Sequence, residues 1–194
     1  MQYPVKFTFK IMALAPQIMV TDASGSMLFY VKQKLFKLKE AVNVFRDKSQ
    51  SEQLYAIKAD RILDFNAKYQ ITDANGGEVG SLRRQGMKSL WRTHYDIYDG
   101  ETHALTIREE KPWKRVVEAI LSEIPLIGFI AILLINPAYI VSRADGTQLF
   151  KLTKKPAFFE GKFELTQLEQ STDDEEQKSL LSLMMMMLLE RNRG

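Results

Sequence analysis

Two hydrophobic patterns divide the chain. From residue 5 onward most apolar stretches are short and alternate with polar residues, as in Tyr69/Ile71, Tyr95/Ile97, Leu105/Ile107, Tyr139/Val141 and Phe163/Leu165. A period of two predicts strands with one apolar and one wetted face. The last stretch breaks the pattern. Leu180 to Leu189 reads Leu-Leu-Ser-Leu-Met-Met-Met-Met-Leu-Leu, with no polar stripe. A helix there is apolar on every face and must be buried all round, in a protein core or in lipid. Thr172-Asp173-Asp174-Glu175 fits the S/T-x-x-E capping box, and Asp173 to Glu176 place negative charge at the N-terminal dipole end. Arg191 and Arg193 sit near the other end, where cations are favoured. A helix over 173–191 runs roughly 28 Å.

The strand-like runs number about twelve: 5–12, 17–21, 27–33, 41–46, 53–59, 68–72, 78–83, 94–98, 103–108, 138–143, 148–152 and 162–166. Asp with Gly or polar neighbours separates many of them, at Asp22, Asp47, Asp73, Asp99 and Asp145. Such residues supply the side-chain turn bonds and positive φ that hairpins need. The steps between these aspartates are 25, 26, 26 and 46 residues. The long step is one repeat plus about twenty residues, the length of an odd segment, Val116 to Ile135. The expectation is a mainly β fold and a single domain over 1–194: about twelve antiparallel strands closed into a barrel, with a helical insertion near 116–135. Closure removes exposed edges. An interior of that strand number is too wide for side chains alone, and the central helix 173–191 fits it. Flexible Met suits an irregular wall.

The insertion holds an unbroken apolar run of 12 residues, Ile124 to Ile135. Spanning a bilayer takes about 20, and widening the window admits Glu118 and Glu123. Three placements stay open: packed on the barrel, in contact with a membrane, or at a dimer contact. Lys111, Trp113, Lys114 and Arg115, just before it, have the composition of a headgroup boundary. With Leu126, Ile127, Phe129 and Ile130 they form the candidate membrane contact.

Composition narrows the picture further. Apolar residues make up 45% and charged residues 26%, as in a folded globular chain. The absence of Cys excludes disulfides, thiol nucleophiles and thiolate metal sites. A formal charge of +3 permits anionic partners without requiring them. The first twenty residues read as a strand rather than a signal peptide. The expected location is cytoplasmic, peripheral at the inner membrane face if a membrane is the partner.

Catalytic chemistry is hard to find. His94 and His103 flank the Asp99 hairpin without a third ligand of obvious spacing, and read as paired surface positions. There is no G-x-S-x-G elbow. Gly76-Gly77 and Gly80 lie in a turn, not between a strand and a helix. Glu109 and Glu110 are adjacent and project to opposite faces of a strand. No catalytic residue, metal or cofactor is expected. The basic groups say more. Lys32, Lys34, Arg83, Arg84, Lys88 and Arg92, with Trp91 among them, are the candidate anion-binding set. They form a patch if closure brings them together, and otherwise a solvated strand face.

Phe29-Tyr-Val-Lys-Gln-Lys-Leu-Phe-Lys-Leu and Tyr69-Gln-Ile-Thr-Asp-Ala-Asn-Gly-Gly-Glu-Val-Gly resemble the LURP-one pattern. With the Asp-Gly hairpins and apolar terminal helix, the chain resembles the tubby-like barrel superfamily, in its LURP-one-related branch. Phospholipid scramblases and tubby proteins are relatives. The resemblance covers roughly 17–110 and 138–191, and it implies a twelve-stranded barrel around a helix, with lipid or membrane contact. It does not extend to scramblase activity: the Cys-rich patch is missing, and Gln167 to Glu176 lacks the alternating aspartates of a calcium segment. Its acids cap the helix. The expected function is a non-enzymatic barrel module that binds an anionic phospholipid membrane or a protein partner, itself included. The alternative is a small-ligand carrier or enzyme with a cavity at a barrel mouth. Nucleic acid is an unlikely partner.

Overall fold

The computed structural model describes residues 1–10, 17–32, 41–61, 67–85, 93–110, 137–157 and 160–191. Within them, twelve strands precede one helix. The strands are β1 (Val5–Lys10), β2 (Gln17–Thr21), β3 (Met27–Lys32), β4 (Ala41–Phe45), β5 (Gln53–Ala59), β6 (Lys68–Asp73), β7 (Glu78–Arg84), β8 (His94–Asp99), β9 (Thr102–Glu109), β10 (Ala138–Arg143), β11 (Gln148–Lys155) and β12 (Glu160–Gln167). The helix is α1 (Asp173–Arg191). Each strand pairs antiparallel with its sequence neighbour, and β1 pairs with β12, so the sheet is a closed barrel.

The alternation read from the sequence sets the inner wall. Phe7 lies opposite both Val20 and Phe163; Ile57 lies opposite Val42 and Ile71; Leu82 lies opposite Tyr69 and Ile97. All of them are buried except Phe163, which is half-buried against the core. They meet α1, which is buried from Lys178 to Leu189. A helix satisfies its own backbone, so only its side chains need cover, and the closed wall supplies it on every side. The capping box forms as expected: Glu175 N donates to Thr172 Oγ1 at 3.2 Å, and Thr172 N donates to Glu175 Oε2 at 2.9 Å.

The hairpin repeat has a structural cause. Gly25, Gln50, Gly76 and Gly146 each donate a backbone N–H to the carbonyl three residues earlier, and each has positive φ. The first turn position is Asp22, Asp47, Asp73 and Arg143. Asp22, Asp47 and Asp73 each accept backbone N–H bonds on Oδ1. Asp145 is therefore not the counterpart of these aspartates, contrary to the spacing argument; Arg143 holds that position. Asp99 also departs from the repeat, because it pairs with Thr102 across a two-residue turn. A register shift precedes each of these five turns, at Val20/Thr21, Val44/Phe45, Ile71/Thr72, Ile97/Tyr98 and Val141/Ser142. Bulges bend a strand and raise its twist, which a closing sheet requires. The insertion 116–135 lies outside the described residues.

At the turn end, Lys178 is 3% exposed, and its Nζ reaches Asp174 Oδ2 at 2.8 Å and Asp99 Oδ2 at 3.1 Å. Gly80 makes room for it. With φ at +156°, a Cβ there would meet Tyr98 O at 2.7 Å and Lys178 Cε at 3.3 Å.

Leu183 is fully buried mid-helix. Leu183→Ala is expected to cost about 2–5 kcal/mol in urea unfolding. Leu168→Ala, at an exposed position, should stay within about 0.5 kcal/mol. Equal effects would mean that the helix does not form the core.

Candidate functional site

The two ends of the barrel differ. At one end lie the short turns just described, together with the helix N-terminus. At the other, Lys10 faces both Gln17 and Glu160, Arg84 faces Tyr95, Glu109 faces Tyr139, and Lys155 faces Lys162. The connections after β1, β3, β5, β7, β9 and β11 leave this mouth, and those after β3, β5, β7 and β9 are the longest between strands, whereas the link after β11 is short. The helix C-terminus emerges here too, where Arg191 Nη1 donates to Lys10 O at 3.4 Å.

This topology bears on the basic and aromatic residues singled out above. Lys32 is exposed at the last position of β3. Arg83 and Arg84, adjacent on β7, face opposite sides of the wall. Arg83 is exposed, whereas Arg84 is 8% exposed and turned toward the helix. The Arg84 guanidinium lies 5.9 Å from the Tyr95 ring centroid and 3.9 Å from Glu190 Oε1, which accepts the Tyr95 hydroxyl at 2.8 Å. This cluster closes the interior around the last helical turn. Burial pushes the Tyr95 phenol well above its ordinary value, with Glu190 adding to the shift. Lys34, Lys88, Arg92, Lys111, Trp113, Lys114, Arg115, Leu126, Ile127, Phe129 and Ile130 lie outside the described residues. The strands flanking their connections, β3/β4, β7/β8 and β9/β10, all open at this mouth.

Beside Arg191 is a half-open cavity of about 190 Å³. Phe9, Tyr139, Phe163, Met186 and Met187 make an almost wholly apolar wall. The Arg191 guanidinium lies 4.2 Å from the Phe9 ring centroid, at the cavity edge. Burial lowers its pKa from the usual value.

On the outer wall, Asp96 gathers both histidines. Its Oδ1 lies 3.2 Å from His94 Nε2, 3.5 Å from His103 Nε2 and 3.2 Å from Thr106 Oγ1; its Oδ2 accepts from Gln85 Nε2. An ionised carboxylate only accepts, so Thr106 gives Asp96 its hydroxyl proton. His103 Nε2, 2.9 Å from Thr106 Oγ1, then donates to that oxygen. The sequence reading paired the histidines but missed Asp96 as their hub. Asp96 is 7% exposed although it points away from the core. The signal was the His-x-Asp triplet His94–Asp96 facing Thr106 across the hairpin. A polar cleft of about 350 Å³ opens beside His103, with Thr106, Arg108, Ser142 and Gln148 on its lining. Its hydroxyls and cations can hold a polar molecule. Thr106, however, is engaged on both sides and is no activated nucleophile. Among the described residues, no group of three or more His, Cys, Asp or Glu could hold a metal ion.

A family model described as LURP-one-related matches residues 10–124. The chain belongs to the LURP-one-related family. The match enters the first part of the insertion, which the sequence resemblance had left uncovered, and it stops before β10. The barrel's closure through β10, β11, β12 and α1 is therefore a finding of the structure. No curated protein matches the chain, and neither does any solved structure. Among the described residues no helix is long and apolar enough to cross a membrane.

Glu175 offers a test of how the helix is seated. Arg143 Nε and Nη2 donate to its two oxygens at 2.6 and 2.9 Å. Chiefly through that guanidinium, its carboxyl is lowered from 4.5 to about 2. A carboxylate whose folded pKa is depressed adds stability above its unfolded pKa, and that stability is lost as pH falls through the folded pKa. Glu175→Gln should therefore be less stable than wild type at pH 7, and the gap should narrow between about pH 4.5 and 2. Urea midpoints across that range would show it, and a gap constant with pH would contradict it.

Proposed function

We propose that this protein is a non-enzymatic LURP-one-related barrel module that docks on an anionic bilayer through one end. The observation that carries this reading is the segregation of its connections. The turn end is closed by Asp22, Asp47, Asp73 and the acidic first turn of α1, all polar or negative. Three of the six connections at the opposite mouth, after β3, β7 and β9, have sequences that mix large apolar residues with cations: Lys34-Leu-Phe-Lys-Leu-Lys39, Met87-Lys-Ser-Leu-Trp-Arg92, and Lys111-Pro-Trp-Lys-Arg115 with the apolar run to Ile135. A bilayer interface combines anionic phosphates with hydrocarbon a few ångströms deeper, and this composition matches both layers.

Vesicle co-sedimentation tests the reading. The protein should pellet with vesicles containing phosphatidylserine and stay in the supernatant with phosphatidylcholine alone. Each cation neutralised among Lys111, Lys114 and Arg115 should lower partitioning roughly fivefold at physiological salt. Removing carboxylates at the opposite end, as in Asp47→Asn, should change nothing. Equal supernatants with both lipids, or equal sensitivity at both ends, would overturn end-on docking. Pelleting of a partner protein instead would shift the reading to a protein interface.

A further inference from the structure

An apolar cavity lies beside Arg191 at the barrel mouth. Three of its features together describe a ligand. Its wall of Phe9, Tyr139, Phe163, Met186 and Met187 offers almost nothing to hydrogen-bond. Apolar surface gains by leaving water, so this wall favours hydrocarbon. Its volume is about 190 Å³, and a cavity of ~150 Å³ holds one benzene. The space therefore takes a chain end of roughly six carbons. Met186 and Met187 are unbranched and adapt to a flexible chain.

Charge sets the polarity of the ligand. The lining carries one acid and one base. Glu190 faces inward, where it accepts from Tyr95 and lies beside Arg84. Arg191 lies at the edge on the Phe9 ring, and its burial disfavours the charged form. An anionic head next to that guanidinium would gain a charge-assisted contact. A neutral or cationic head would not.

We infer that this cavity is a binding site for the hydrocarbon end of an anionic amphiphile, with the chain between Phe9, Phe163 and Met187 and the head beside Arg191. The chain comes from a free fatty-acid-like molecule or from a lipid in the bilayer; for the second source the inference rests on the membrane-facing reading of this mouth. The cavity itself does not depend on that reading.

The probe is sodium decanoate below its micelle concentration, added to full-length protein labelled with ¹³C at the methionine methyls. Saturable shifts are expected at Met186 and Met187, and none at Met27, which lies near the turn end. From hexanoate to octanoate the affinity should rise roughly fourfold per methylene, then level off as the cavity fills. Met187→Trp fills the space and should weaken decanoate binding about tenfold or more. Arg191→Gln should weaken decanoate but leave decanol unchanged. The wild-type chain-length series stands alone if Met187→Trp does not fold. Phosphatidylserine vesicles form the second arm. Shifts at the same methyls with vesicles assign the chain to the bilayer; shifts with decanoate alone assign it to a free amphiphile. Absence of saturation, shifts spread over all methionines, or binding untouched in a folded Met187→Trp would overturn the site. Failure to pellet on vesicles would defeat the docking reading and leave the decanoate result standing.

Discussion

The structure depends on removing one helix from water on all its sides. α1 has no polar face to give to solvent, so it cannot lie on a surface as an amphipathic helix does. A closed sheet answers this need, and it needs the helix equally. Twelve strands enclose more space than their own inward side chains fill. Wall and rod complete each other, and β1 pairing with β12 makes the cover continuous. Polar contacts at both ends fix the rod along its axis. Near its start, Arg143 grips Glu175, and Lys178 reaches Asp174 and Asp99. Near its finish, Glu190 meets Tyr95 and Arg84. A purely apolar rod in an apolar sleeve would have little to oppose sliding; these pairs set the register of one within the other.

Fixing the rod also makes the two ends chemically different. Up-and-down connectivity alternates its links between the ends, and here the two sets have opposite character. Short turns with Asp side chains bonded to their own backbone need no further cover. The longer links carry the residues that a membrane or lipid reading requires. The fold thus has two unlike ends: one closed by short turns bonded to their own backbone, the other bearing most of the longer connections.

Much of this could be read from the residues. Period-two alternation located the strands because one face of each is packed on the helix and the other is wetted, so burial is written directly into the chemistry. The capping box at Thr172 and Glu175 was legible because it is local. The side chain partners were not. Arg84 had the composition of a surface cation, yet parity along β7 and the approach of Glu190 draw it inside. The His94–Asp96–His103 cluster depends on cross-strand register, which one-dimensional spacing does not encode. Arg143 took a turn position that the aspartate count had given to Asp145, because backbone hydrogen bonds define the turn and tolerate a different side chain there. The cavity beside Arg191 arises where β1, β10, β12 and α1 meet imperfectly, and no single stretch of sequence marks it.

The rod follows all twelve strands in the chain. Until it leaves the ribosome, the strands have an apolar lining with nothing to pack on, and β1 waits for a partner more than 150 residues downstream. Pairings of such wide separation form slowly, and an unfilled sheet is prone to aggregate. A nascent chain of this design therefore stays short of a stable state until the helix has followed the strands. Closing the wall and burying the rod are thus coupled, since β1 and β12 meet around a helix that the ribosome delivers after both.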